Sequence, residues 1–278
     1  MLFVPAWVFA QNFWYDIPES KIPPIGERRI VPRLYRTVKI DLNALQPLLA
    51  AAPRRFTPAA VGNTLTIELP TPDGHMSRFL LTESPVMMPE LQAKHPNIRC
   101  YTGTGIDEPG ALLKCDLTLH GFHAQVLRGK GGDWFIDPYS FGDREHYTVY
   151  FKKDYPKPAG KTWICEAEEE IKKEIKNNPI PDQGDCKLRE YVLALACTGE
   201  YADYHGGTVP AAESAMNTTM NRVNGVFEMD MAITMFLVNN NDTLIFLDGN
   251  TDPYSNNNGG AMLNQNQTTC NNRIGNAN

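Results

Sequence analysis

The feature that most restricts the fold is a strand, helix, strand pattern in the second half of the chain. Tyr191 to Cys197 (YVLALAC) is a continuous apolar run, as expected of a strand buried on both faces. Ala212, Met216, Met220, Val223 and Phe227 then recur at helical spacing, while Glu213, Asn217, Asn221 and Asn224 take the other side. That pattern predicts an amphipathic helix packed on a sheet, with its methionines as core residues. A second run, Ala232 to Val238 (AITMFLV), closes at Asn239-Asn240-Asn241-Asp242 and is followed by Thr243 to Leu247. Elements of this length in this order form a right-handed crossover and predict an α/β domain with a largely parallel sheet.

The first half reads differently. From Arg28 to about Pro156 short β-rich runs alternate with turn signals. Thr64 to Leu69 and Arg78 to Thr82 flank PTPDG, whose proline and glycine supply the φ values of a hairpin connection. Further strands are expected at Gly121 to Leu127, Asp133 to Pro138 and His146 to Phe151, with short helices starting at Asp41 and near Pro89. Between the halves, Lys157 to Asp185 holds a charge run, EAEEEIKKEIKNN, and the breakers PIPDQGD, and has little to bury. It reads as a linker with a short solvated helix from Glu166 to Ile175.

The 278 residues are 42% hydrophobic and carry a net charge of -6, enough apolar material for one or two cores and a balance that argues against a nucleic-acid partner. Residues 1 to 10 (MLFVPAWVFA) are apolar and place Val8 and Ala10 at signal-peptidase spacing, so they read as the remnant of a secretory signal without its basic part. No other run reaches the roughly 20 apolar residues of a membrane span. A soluble, secreted product is the expectation.

Cysteines fit that compartment. Cys100 and Cys115 lie symmetrically about Asp107-Glu108-Pro109-Gly110, which joins two β-rich runs, Ile98 to Gly105 and Ala111 to Leu119. They read either as a disulfide across a hairpin or as two separate buried thiols.

Spacing excludes most chemistries: there is no nucleophile elbow, phosphate loop, dinucleotide fingerprint or helical His-Glu-x-x-His. His120 and His123 form the only His-x-x-His, but positions three apart on a strand face opposite sides and cannot close on one ion. Asp248, Asn250 and Asp252 resemble the first ligands of a calcium loop. Pro253 and Gly259 stand where that loop needs glycine and a bidentate glutamate, so a polar turn is the better reading beside an irregular calcium site.

Four phrases of the second half resemble the start of a reprolysin-like zinc metallopeptidase, a metzincin of secreted bacterial precursors: LREYVLALACTGEYADYHGG from Leu188, AMNTTMNRVNGVFEMDMAITM from Ala215, LIFLDGNTDPYSNNNG from Leu244 and LNQNQTTCNNRIGNAN from Leu263. The first half is similar to the N-terminal region of such precursors through LPTPDG at Leu69, ESPVMMPELQAKHP at Glu83, IRCYTGTGI at Ile98 and GFHAQV at Gly121. The resemblance implies an α+β protein: signal remnant 1–10, β-rich prodomain 11–156, linker 157–185, and the N-terminal part of an incomplete α/β catalytic domain at 186–278. It implies zinc and a protein or peptide substrate for the full-length parent, with the three-histidine motif lying beyond Asn278. No residue here then inherits a catalytic or zinc-ligand role, and His205 reads as a loop histidine before Gly206-Gly207. Cys165 is placed to act as a latency thiol or to pair with Cys186 across the linker, which would leave no thiolate for a metal. The rival expectation is a stand-alone binding or inhibitory module.

Overall fold

A computed structural model describes residues 13–128, 131–156 and 185–275. Residues 1–10, the linker helix and Cys165 lie outside the described residues.

One sheet dominates. Its nine strands are β1 (Trp14–Asp16), β2 (Arg36–Ile40), β3 (Thr66–Pro70), β4 (Met76–Glu83), β5 (Arg99–Gly105), β6 (Leu112–Thr118), β7 (Gly121–Leu127), β8 (Trp134–Pro138) and β9 (His146–Phe151). β3 to β9 run as an uninterrupted antiparallel meander, and β2 and then β1 add beyond β9. The expected hairpin forms, with Thr66 opposite Leu80 and Gly74 at φ 91° in the turn, a conformation glycine adopts without steric cost. Inward-facing positions follow the period of two: Leu113, Cys115 and Leu117 of β6 and Phe122, Ala124 and Val126 of β7 share one core with residues of every other strand. The sheet therefore curls into a nearly barrel-shaped layer. Helix α1 (Leu42–Ala50), begun by Asp41 accepting from the Ala44 N–H, packs Leu45 and Leu49 onto this core. Helix α2 (Pro89–Lys94) is a short connection.

The expected largely parallel α/β sheet is overturned. Among the described residues, parallel pairing between strands is confined to β10 (Arg189–Leu193) and β11 (Ile233–Leu237). The run Tyr191 to Cys197 is not buried on both faces: Tyr191 and Val192 are 52% and 60% exposed, and the strand ends at Leu193. Thr243 to Leu247 contributes one bridge, Cys197 to Ile245, after a 3-10 turn at Asn241–Leu244. Apolar content alone does not separate a buried strand from a half-exposed one, and this stretch shows the ambiguity.

The amphipathic helix does form, as α4 (Val209–Met231), preceded by α3 (Gly199–Tyr204) and followed by α5 (Gly259–Arg273), an Asn/Gln-rich helix that hydrophobic periodicity does not reveal. Thr208 caps the N-terminus of α4, and Ala232, in the left-handed region at φ 52°, ends it. Met216 and Met220 are core residues, as expected. The polar side is covered as well. Glu213, Asn217, Asn221 and Asn224 are all buried, because α4 lies between two layers: one flank meets β11 and the other covers the outer face of β6 and β7. Backbone pairing joins these layers as well, since Leu237 accepts from the Met88 N–H at 2.9 Å and donates to the Val86 carbonyl at 2.8 Å.

Gly225 marks how near the helix comes to the sheet. A Cβ there would meet Lys114 Cγ at 2.9 Å and Leu127 Cδ1 at 3.3 Å. Gly225→Leu is therefore expected to cost about 1–3 kcal/mol through overpacking, read as a lower midpoint in denaturant unfolding. An unchanged midpoint would contradict this docking.

Candidate functional site at the helix and sheet junction

The strand period that sends Leu113, Cys115 and Leu117 inward sends Lys114, Asp116 and Thr118 outward, and α4 then covers them. These charged groups are satisfied by the helix. Lys114 Nζ donates to Glu228 Oε1 at 2.9 Å and to Thr102 Oγ1 at 2.9 Å, and Arg55 holds the other Glu228 oxygen at 2.9 Å. Burial draws the Lys114 ammonium below its ordinary range, only partly offset by Glu228. Glu228 is also penalised by burial but is held low by Lys114 and Arg55. Two turns earlier, Asn221 donates to the Cys115 carbonyl at 2.9 Å. Thr218 donates to Asp116 Oδ1 at 2.8 Å, the same oxygen that His123 Nδ1 approaches at 3.0 Å. Arg222 reaches Asp137 Oδ1 of β8 at 2.6 Å, and Asn224 forms paired bonds with the β11 backbone at Met235.

Beside this seam a pocket of about 300 Å³ opens between the sheet and the start of α4, with Arg29, His120, Ser140, His205, Thr219 and Arg222 among its walls. The Arg29 guanidinium lies 3.8 Å from the Phe141 ring centroid and 3.9 Å from that of Tyr204, and donates to the Tyr204 carbonyl at 2.6 Å. His205 occupies the C-cap of α3, packed on Tyr201 and Tyr204 with its ring 5.9 Å from His120. Burial, then His120 and Arg29, lower its pKa to about 4. Burial also lowers His120.

The two histidines of the His-x-x-His both line the pocket, which the strand rule did not anticipate. His120 precedes the strand, and Gly121, the first residue of β7, turns the chain at φ 109°. They still do not converge on an ion: His120 Nε2 lies 2.8 Å from the Ala211 carbonyl, and His123 is turned to Asp116. Among the described residues no group of three or more His, Cys, Asp or Glu side chains could hold a metal.

The remaining candidates are dispersed. Cys100 and Cys115 are not bonded to each other. In the β5 and β6 register Cys100 stands opposite Asp116 and Tyr101 opposite Cys115, so a one-residue offset from the symmetric pairing puts the thiols on opposite faces, in different cores. Burial raises both thiols. Cys186 is exposed and free among the described residues. The Asp248 carboxylate accepts from the backbone and side chain of Asn250 and from Thr251, while Asp252 accepts from the Gly199 and Tyr254 N–H groups. These oxygens serve a polar turn.

Residues 188–278 match the family model described as Metallo-peptidase family M12B Reprolysin-like. These residues are similar to the reprolysin-like metallopeptidases. The resemblance read from the four C-terminal phrases is borne out at family level, and α4, β10 and β11 lie within the reprolysin-like segment. No curated protein matches the chain. Among the described residues no helix is long and apolar enough to cross a membrane.

Glu213, on the polar side of the helical period, is fully buried. Its Oε1 accepts from Asn217 at 3.0 Å, and Oε2 has no partner among the described residues. Burial pushes its pKa up to about 7. Its contribution to stability is complete below the unfolded value near 4.5 and is lost as pH rises through 7. His205 has the opposite sign, contributing fully above about 6.5 and losing that contribution as pH falls towards 4. Glu213→Gln is expected to flatten the neutral limb of a stability–pH profile and His205→Phe the acid limb. Unfolding midpoints from pH 4 to 8 check both, and identical profiles would refute the assignment. Lys114→Met removes one of the two cations on Glu228, which keeps Arg55, and should cost about 1–3 kcal/mol, whereas Lys114→Met with Glu228→Leu should recover part of that loss in chemical denaturation.

Proposed function

We propose that this chain is the N-terminal region of a secreted, zinc-dependent metalloendopeptidase precursor, in which the nine-stranded sheet is a prodomain clamped onto the first elements of the catalytic domain. One observation carries the reading: the long helix of the reprolysin-like segment is gripped by the preceding sheet through Lys114, Asp116, Asp137 and the Cys115 carbonyl. A grip built from ion pairs and hydrogen bonds suits a partner that must later come away. Such groups rehydrate when the seam opens, whereas a wholly apolar face would be left prone to aggregate. The apolar residues 1–10 support export. The substrate class is protein or peptide.

The described residues do not fit a catalytic zinc. His120 and His123 are turned to the Ala211 carbonyl and to Asp116, and no third donor converges with them. No catalytic step is therefore assigned to this chain. Its role in the precursor is to hold α4 and β11 in place.

Two measurements test this reading. The purified 278-residue chain is expected to take up no stoichiometric zinc and to leave casein intact; chelator-sensitive cleavage by it would overturn the proposal. N-terminal sequencing of the active secreted peptidase should give a start within or just after residues 157–185. An active enzyme retaining the β1 to β9 sheet would be equally fatal.

A further inference from the structure

We propose that the pocket between the sheet and the start of α4 binds a small oxyanion, a carboxylate or inorganic phosphate, that bridges the two layers. The inference stands apart from the peptidase reading, because it rests only on the chemistry of the pocket walls.

The walls offer hydrogen-bond donors whose acceptors are missing. Ser140 is only 4% exposed and its hydroxyl has no partner among the described residues. Arg222 commits one terminal nitrogen to Asp137, while its buried Nε has no partner among the described residues. Buried donors of this kind are costly unless something accepts from them. Acceptors are scarce in the same walls. Asp137 is the one carboxylate among the lining residues, and both of its oxygens are in use, Oδ1 by Arg222 and Oδ2 by Tyr150 at 2.8 Å. Glu27, the carboxylate partner of Arg29 at 3.2 Å, is 71% exposed and lies outside the lining, so it neutralises the pocket weakly.

Charge and size agree with this. Arg29 is fixed by its two flanking rings, which leaves a preorganised cation at the mouth. A divalent metal is disfavoured by Arg29 and Arg222 and by the engagement of His120 and His123 with Ala211 and Asp116. A volume of about 300 Å³ is at the small end of ligand pockets and suits phosphate or a short carboxylic acid. The walls come from both layers, with Arg29 and Ser140 on the sheet side and His205 and Arg222 from the reprolysin-like segment. An occupant therefore ties them together.

The pocket also couples anion binding to protons. His205 faces Arg29 and His120. His120 faces the Ala211 carbonyl, with Arg29, His123 and Asp116 acting on it. An anion among these rings favours their protonated forms, so affinity should be higher at pH 5.5 than at pH 8.

The test uses the full chain in chloride buffers of matched ionic strength, titrated separately with inorganic phosphate and with acetate. Thermal unfolding and the histidine ring signals by NMR are the readouts. The expected result is a saturable Tm increase of roughly 3–5 °C at tenfold excess over Kd. It should be accompanied by an upward shift in the pH midpoint of His205. Ser140→Ala, a small change that preserves the backbone, should weaken binding at least about fivefold. His205→Phe should remove most of the pH dependence. A response to phosphate alone identifies a phosphate site, and a response to acetate, with or without phosphate, identifies a carboxylate site. A rise equally produced by chloride, a rise unaffected by Ser140→Ala, or no saturable response to either probe would overturn the proposal.

Discussion

The buried polar seam between α4 and the outer face of β6 and β7 is the constraint on which the rest of the structure depends. Lys114 and Asp116 sit on strands whose other face fills the core of the curled sheet, so the strand period leaves them nowhere to go but under the helix. Burying a charge is tolerable only with a partner at hydrogen-bond distance, and Glu228 and Thr218 supply those partners from one side of one helix. The helix is thereby positioned in register against the sheet. Gly225 lets it approach closely enough for those bonds to be short.

Once α4 is set, the reprolysin-like segment follows from it. Asn224 hooks the β11 backbone at Met235, which places β11 beside β10, and Leu237 pairs with the chain around Val86 to Met88. Met220 and Val223 join Cys100 and Leu91 in a second core that belongs to both layers. Helix α4 thus works as a shared beam, apolar towards this second core and towards a smaller cluster of Cys197, Ala202 and Ile245, and hydrogen-bonded towards the sheet. The small pocket beside it is the place where the two layers come together without filling the space between them.

Opposed titrations act on the same helix and its approach. Glu213 is most stabilising when protonated and His205 when neutral, so the junction has its best pH between the two transitions. Both shifts come first from burial. They are consequences of α4 being covered on its polar side, and neither residue would be unusual on an exposed helix.

Much of the local structure was legible from residue order. The hairpin around PTPDG, the strands from β5 to β9, the Asp41 cap and the helical period of Ala212 to Phe227 all follow from turn chemistry and periodicity, which act over a few neighbours. The reprolysin-like phrases were legible too. What periodicity could not supply was the partner of each face. It grouped Glu213, Asn217, Asn221 and Asn224 on one side without showing what covers them, took Tyr191 and Val192 as buried, and left Cys100 and Cys115 between a hairpin disulfide and two separate buried thiols, which the one-residue register offset keeps apart. A lone glycine inside the helix and charged residues alternating with apolar ones in LLKCDLT were the only hints of close docking. The sequence by itself determined which elements form and which family the C-terminal part resembles, because those depend on local patterns. Only the tertiary structure decided what covers each polar face, because burial and register depend on segments about a hundred residues apart meeting in space.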